Sequence, residues 1–135
     1  MMTRGMMVVA ALGLAACVET GANRSFDDPA VQRLFTQSTP EYYASLAIAT
    51  QIAQGCARYG YDAALDAELN EARNAVGRGS LSAMSLSRAI ELETDVAQRS
   101  FEVKHGVTLG ASELCAAGDA ETLEGTAVSA LLIPV

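Results

Sequence analysis

The chain has 135 residues, half of them apolar, with 9 Lys and Arg against 16 Asp and Glu, for a net charge of −7. That is enough for one domain and too apolar for a disordered chain. The acidic balance provides no basic stripe for a phosphate backbone, which excludes nucleic acid as a partner.

Residues 1–17 read MMTRGMMVVAALGLAAC. Arg4 supplies a positive start, and Met6 to Leu14 form a short apolar run. A bilayer crossing needs about 20 apolar residues, so this run has the layout of a signal peptide instead. Leu14-Ala15-Ala16-Cys17 resembles a bacterial lipobox, with Leu three places before the cut, two small residues and then Cys. The resemblance implies cleavage after Ala16 and a diacylglyceryl group on the Cys17 thiol, which anchors the chain in a lipid bilayer. At about 0.8 kcal/mol per buried CH₂, two or three acyl chains hold a protein almost permanently. Val18, rather than Asp, follows the cysteine. In bacteria that use an Asp-after-Cys retention signal, this implies transport to the outer membrane, facing the periplasm. The bland alternative is a plain signal peptide with Cys17 a bystander. The expected organisation is a signal over 1–16, a flexible tether over 17–28 and a single helical domain over 29–135.

With Cys17 acylated, Cys56 and Cys115 remain, and in an oxidising compartment two leftover thiols normally pair. The bridge would close a loop of about 60 residues, worth about 4 kcal/mol in the chain-entropy model. There is no C-x-x-C, and His105 is the only histidine, so redox and zinc sites are disfavoured. No metal or cofactor is expected.

Asp28 before Pro29 is a helix-start signal, and Val31, Leu34 and Phe35 fit one face of a short helix. Thr39 before Pro40 and Glu41 opens a second helix, with Tyr42, Leu46, Ala49, Ala53 and Cys56 on its inner face and Gly60 at its end. Asp62 caps a third. Leu65, Leu69, Ala72 and Val76 line its inner side, Asp66, Glu68, Glu71, Arg73 and Asn74 cover the outer, and Gly77 and Gly79 stop it. A fourth starts at Ser80 or Ser82, carries the stripe Leu86, Ala89, Ile90, Val96, Ala97 and Val103, and ends at Lys104-His105-Gly106. A fifth is expected from about 111 to 132, with Leu114, Cys115, Gly118, Thr122, Gly125 and Val128 inward and the two glycines allowing close helix approach. No segment alternates with period two, so strands are not required. The predicted fold is all-α: a small bundle of four main helices plus a short N-terminal helix, with one disulfide.

The stretch Ile52-Ala53-Gln54-Gly55-Cys56, with Gly106-Val107, Cys115-Ala116-Ala117-Gly118-Asp119-Ala120-Glu121, Gly125-Thr126 and Leu131-Leu132, resembles an uncharacterised alphaproteobacterial family of small secreted helical proteins. The resemblance covers roughly residues 41–132. It implies that both cysteines belong to the pattern, and it implies no activity and no catalytic residue. The family usually has an ordinary signal peptide, so the lipobox is a departure or a feature of a subgroup.

The candidate chemistry is sparse. His105 at a helix C-terminus reads as a cap, and the hydrolase reading fails if it is exposed there. Glu91, Glu93 and Asp95, and likewise Asp119, Glu121 and Glu124, read as solvated faces rather than a paired-carboxylate or calcium site. Gly77-Arg78-Gly79-Ser80 lacks the lysine of a phosphate loop. Tyr42, Tyr43, Tyr59 and Tyr61 flank the second helix and suggest a partner-binding surface, or equally the lid of a core without Trp. The function expected is therefore non-enzymatic: an envelope lipoprotein that binds a protein partner. The alternatives are a carrier with an apolar cavity of a few hundred Å³, or a small hydrolase in which His105 meets a carboxylate and a hydroxyl.

Overall fold

Asp28 starts the first helix as its sequence predicts: its carboxylate accepts from the Ala30 and Val31 amides, and Pro29 occupies the first turn. This computed structural model describes residues 24–78 and 84–135. In chain order it contains α1 (Pro29–Thr36), α2 (Thr39–Gly55), β1 (Tyr59–Tyr61), α3 (Ala63–Ala75), α4 (Met84–His105), α5 (Cys115–Glu124), a 3₁₀ turn (Val128–Leu131) and β2 (Leu132–Pro134). The all-α reading with one disulfide holds. The described part of the expected tether, residues 24–28, is not free: Arg24 pairs with Asp28 at 3.2 Å, and Phe26 packs edge-on against Phe35. Residues 1–23, which hold the expected signal, Cys17 and most of the expected tether, and residues 79–83 lie outside the described residues.

The second helix starts one residue earlier than Thr39-Pro40 suggests. Ser38 is its cap, in a reciprocal box with Glu41. It ends at Gly55, not Gly60, because Tyr59–Tyr61 is drawn into an antiparallel pair with Leu132–Pro134. The register sets Gly60 opposite Ile133. The largest correction falls at the C-terminus, where the long fifth helix is replaced by a short α5. Gly125 adopts φ +63° and terminates it, and only glycine takes that conformation without strain. The chain then turns back through the molecule. Ser129, Ala130 and Leu131 are fully buried, in a 3₁₀ turn that touches α1, α2, α3 and α5.

That turn is the centre of the core, enclosed by Val31, Leu34, Ala49, Ile52, Leu65, Leu69 and Leu114. Burying each of the larger aliphatic side chains contributes about 2 kcal/mol. The bridge between Cys56 and Cys115, 59 positions apart, joins the end of α2 to the start of α5. Beside it Gly118 sits against the Tyr59 ring and Ile52, where an added Cβ would lie 2.8 Å from Tyr59 Cε2. The close approach expected of this glycine is what the structure shows.

The expected stripe on α4 is in fact two faces. Ala97 and Phe101 pack on the core and Leu86 and Ile90 are half-buried, with the helix packed chiefly on α2, whereas Val96 and Val103 face solvent.

Candidate functional site

Three groupings carry chemistry, and the first is a buried cation. Leu65, Leu69 and Arg73 recur every four residues, so all three share the inner face of α3. Arg73, assigned to the outer face by its charge, is 1% exposed. Its Nη1 donates to the carbonyls of Phe35 at 2.7 Å and Gln37 at 2.9 Å, just where α1 ends. The guanidinium also stands 4.3 Å from the centre of the Tyr42 ring. Burial lowers its pKa, yet it serves carbonyls that have no helical partner. Arg78, from the glycine-flanked motif, donates to the Thr36 carbonyl at 3.1 Å and accepts from Thr39. Both arginines act as ties on the α1–α2 corner.

The second grouping centres on Glu121. Expected on a solvated face, it lies inward, on the same side of α5 as Ala117 and Gly118. The His105 side chain, at the end of α4, is buried too: it is 8% exposed, against 5% for Glu121. His105 Nε2 lies 2.6 Å from Glu121 Oε1, and Lys104 Nζ donates to the same oxygen at 2.9 Å and to Glu124 at 2.6 Å. The Thr126 hydroxyl donates to the other Glu121 oxygen. Burial alone would raise the Glu121 pKa; the hydrogen bonds from Thr126, Lys104 and His105 outweigh it, and the net shift is downward. A histidine has thus met a carboxylate and a hydroxyl, but in the order hydroxyl–carboxylate–imidazole. Nucleophilic catalysis needs the imidazole in the middle, taking the hydroxyl proton. Here Thr126 directs its proton to Glu121, and the cluster bolts α4 to α5. From α1, Arg33 makes a separate tie to the same end of α5 by donating to the Gly125 carbonyl at 2.9 Å, where the helix is electronegative.

The tyrosines do not form one surface. Tyr42 is buried, and its hydroxyl donates to Asp66 Oδ1 at 3.0 Å, while Tyr61 donates to Asp66 Oδ2 at 2.8 Å. Burial, then the nearby Asp66 charge and its hydrogen bonds, raise the pKa of both. Tyr43 meets Tyr42 edge-on. Tyr59 belongs to a separate cluster, in which it and Arg58 hold Asp119. Of the acidic run, Glu91 and Asp95 are exposed, with Asp95 3.9 Å from Arg99.

Among the described residues, the cysteines and carboxylate nearest to a ligand set are Cys56, Cys115 and Glu113, but the two sulfurs are bonded to each other. A cleft of about 160 Å³ opens beside them, lined by Gln51, Gln54, Gly55, Gly110 and Ser112. That lining is two glutamines, a serine and two glycines, without the large apolar side chains that form the chamber of a carrier. No described helix is long and apolar enough to cross a membrane.

The third grouping is one that the sequence reading misses. Leu92, Val96 and Val103 on α4 are 57%, 60% and 85% exposed. At 100° per residue they fall within about 40° of arc. Among the described α4 side chains only Phe101 is fully buried, so this helix holds to the fold along one side and presents an apolar stripe on the other. The 3–4 spacing is the available signal. It is hidden because the inward and outward stripes lie side by side in the sequence.

No protein-family model, curated protein or solved structure matches the chain.

Proposed function

We propose that this chain is a lipid-anchored protein of the bacterial envelope, held by an acylated Cys17, that binds a protein partner without catalysing a reaction. The outward face of α4 carries this reading. Apolar side chains aligned on one stripe, spare to the core and placed on a rigid helix, are what helix-to-helix recognition uses. The lipobox Leu14-Ala15-Ala16-Cys17 supplies the anchor, with the outer membrane as its favoured destination. The buried polar clusters around Arg73 and Glu121 are satisfied within the fold, which leaves them structural work. The Cys56–Cys115 bridge fits an oxidising compartment such as the periplasm.

Two measurements test the proposal. Intact-mass spectrometry of the protein extracted from envelopes should find Cys17 at the N-terminus with added acyl mass; an unmodified N-terminus overturns the anchor. A photo-reactive residue at Val96 should cross-link in envelopes to a defined protein band, whereas one at Glu68, on exposed α3 surface, should not. Equal or absent cross-linking at both positions overturns the docking face.

A further inference from the structure

The stripe on α4 has charged neighbours whose order says what it pairs with. Leu92, Val96, Arg99 and Val103 follow the 4–3–4 spacing of a two-stranded helical seam. Arg88, Asp95 and Glu102 recur every seven residues along one flank, with Glu91 beside them. In a parallel pair of α4 helices, Arg99 would face Arg99, two like charges in an apolar seam. Antiparallel pairing about Asp95 removes that clash. Arg88 then comes beside the partner's Glu102, and Arg99 beside the partner's Glu91. Both contacts occur twice by symmetry. Glu102 already accepts from the Leu109 amide through Oε1 and offers its other oxygen. The two Asp95 carboxylates lie at the solvent-exposed edge of the axis, each beside its own Arg99 at 3.9 Å, which offsets their like charge where solvent also screens it.

We infer that the occupant of this face is a second copy of the chain, docked through α4 against α4 in antiparallel register. The inference rests on the protein-binding reading above and names its partner. In this register the two apolar stripes overlap only over residues 92–98, about 9 Å of helix, so the contact belongs with small, weak interfaces rather than obligate ones. Two copies confined to one membrane surface meet at high effective concentration, which makes a weak seam sufficient.

Sedimentation equilibrium of the full chain in mild detergent, over a wide concentration range, should show a reversible monomer–dimer equilibrium. Val96→Glu should weaken association at least about tenfold, with an unchanged circular dichroism spectrum. Arg88→Glu should weaken it as well, and adding Glu102→Arg should restore it. Asp95→Cys, on the axis, should give a disulfide-linked dimer, while Val103→Cys should not. A wild-type monomer at every concentration, dimerisation unaffected by Val96→Glu, or cross-linking through Val103→Cys in place of Asp95→Cys would overturn the inference. If the wild type is monomeric while the Val96 photo-cross-link captures a different envelope protein, the second copy is refuted and the docking face stands.

Discussion

The two longest helices, α2 and α4, lie against each other and treat their side chains in opposite ways. Over Tyr42 to Ile52, α2 buries Tyr42, Ala44, Ser45, Ile48, Ala49 and Ile52, and its end is fixed to α5 by the disulfide. Of its described side chains, α4 buries only Phe101, and it turns Leu92, Val96 and Val103 to solvent. The surface of α2 is therefore explained from inside the molecule. That of α4 is not: its outward apolar stripe adds nothing to this core, and it is the face at which we propose a partner docks.

Substitutions around α2 should be costly, and those on the outer face of α4 should not. The largest expected loss comes from the bridge. The double variant Cys56→Ser, Cys115→Ser should lose about 4 kcal/mol in urea unfolding. Next is Arg73→Leu, which removes the donors to the Phe35 and Gln37 carbonyls and should lose about 3 kcal/mol. Arg73→Lys should recover only part of this, because an ammonium lacks the guanidinium fork. Smaller again is Glu121→Gln, at about 2 kcal/mol. The Glu121 carboxyl is held below its ordinary 4.5 in the fold, so its contribution is present above that value and is lost as pH falls through the lower folded one. Wild-type stability should fall with acidification below about pH 4.5, and the fall should be shallower in Glu121→Gln.

Much of the helical framework is legible because local chemistry marks it. Asp28-Pro29, Asp62 and Gly106 each stand where a helix begins or ends. The cap at Ser38 is easily misplaced by one residue because Ser, Thr and Pro adjoin there; the partner Glu41, three residues on, distinguishes them. The C-terminus is illegible for a different reason. Apolar residues after Gly125 fit a helix locally, and only pairing with Tyr59–Tyr61, far away in sequence, makes Leu132–Pro134 a strand. Arg73 and Glu121 read as outward by charge alone, although their spacing from Leu69 and Ala117 places both inward. Buried charges of this kind are visible only once their partners are located: the carbonyls at the end of α1 for Arg73, and Thr126, Lys104 and His105 for Glu121.

The central claim is that the outward face of α4 is spare for folding. The most direct test is urea unfolding of the triple variant Leu92→Ser, Val96→Ser, Val103→Ser at a protein concentration low enough to keep the wild type monomeric. The expected result is a folded protein whose stability stays within about 1 kcal/mol of wild type, since exposed positions contribute little. A loss as large as that of Arg73→Leu would contradict it, because the stripe would then belong to the core.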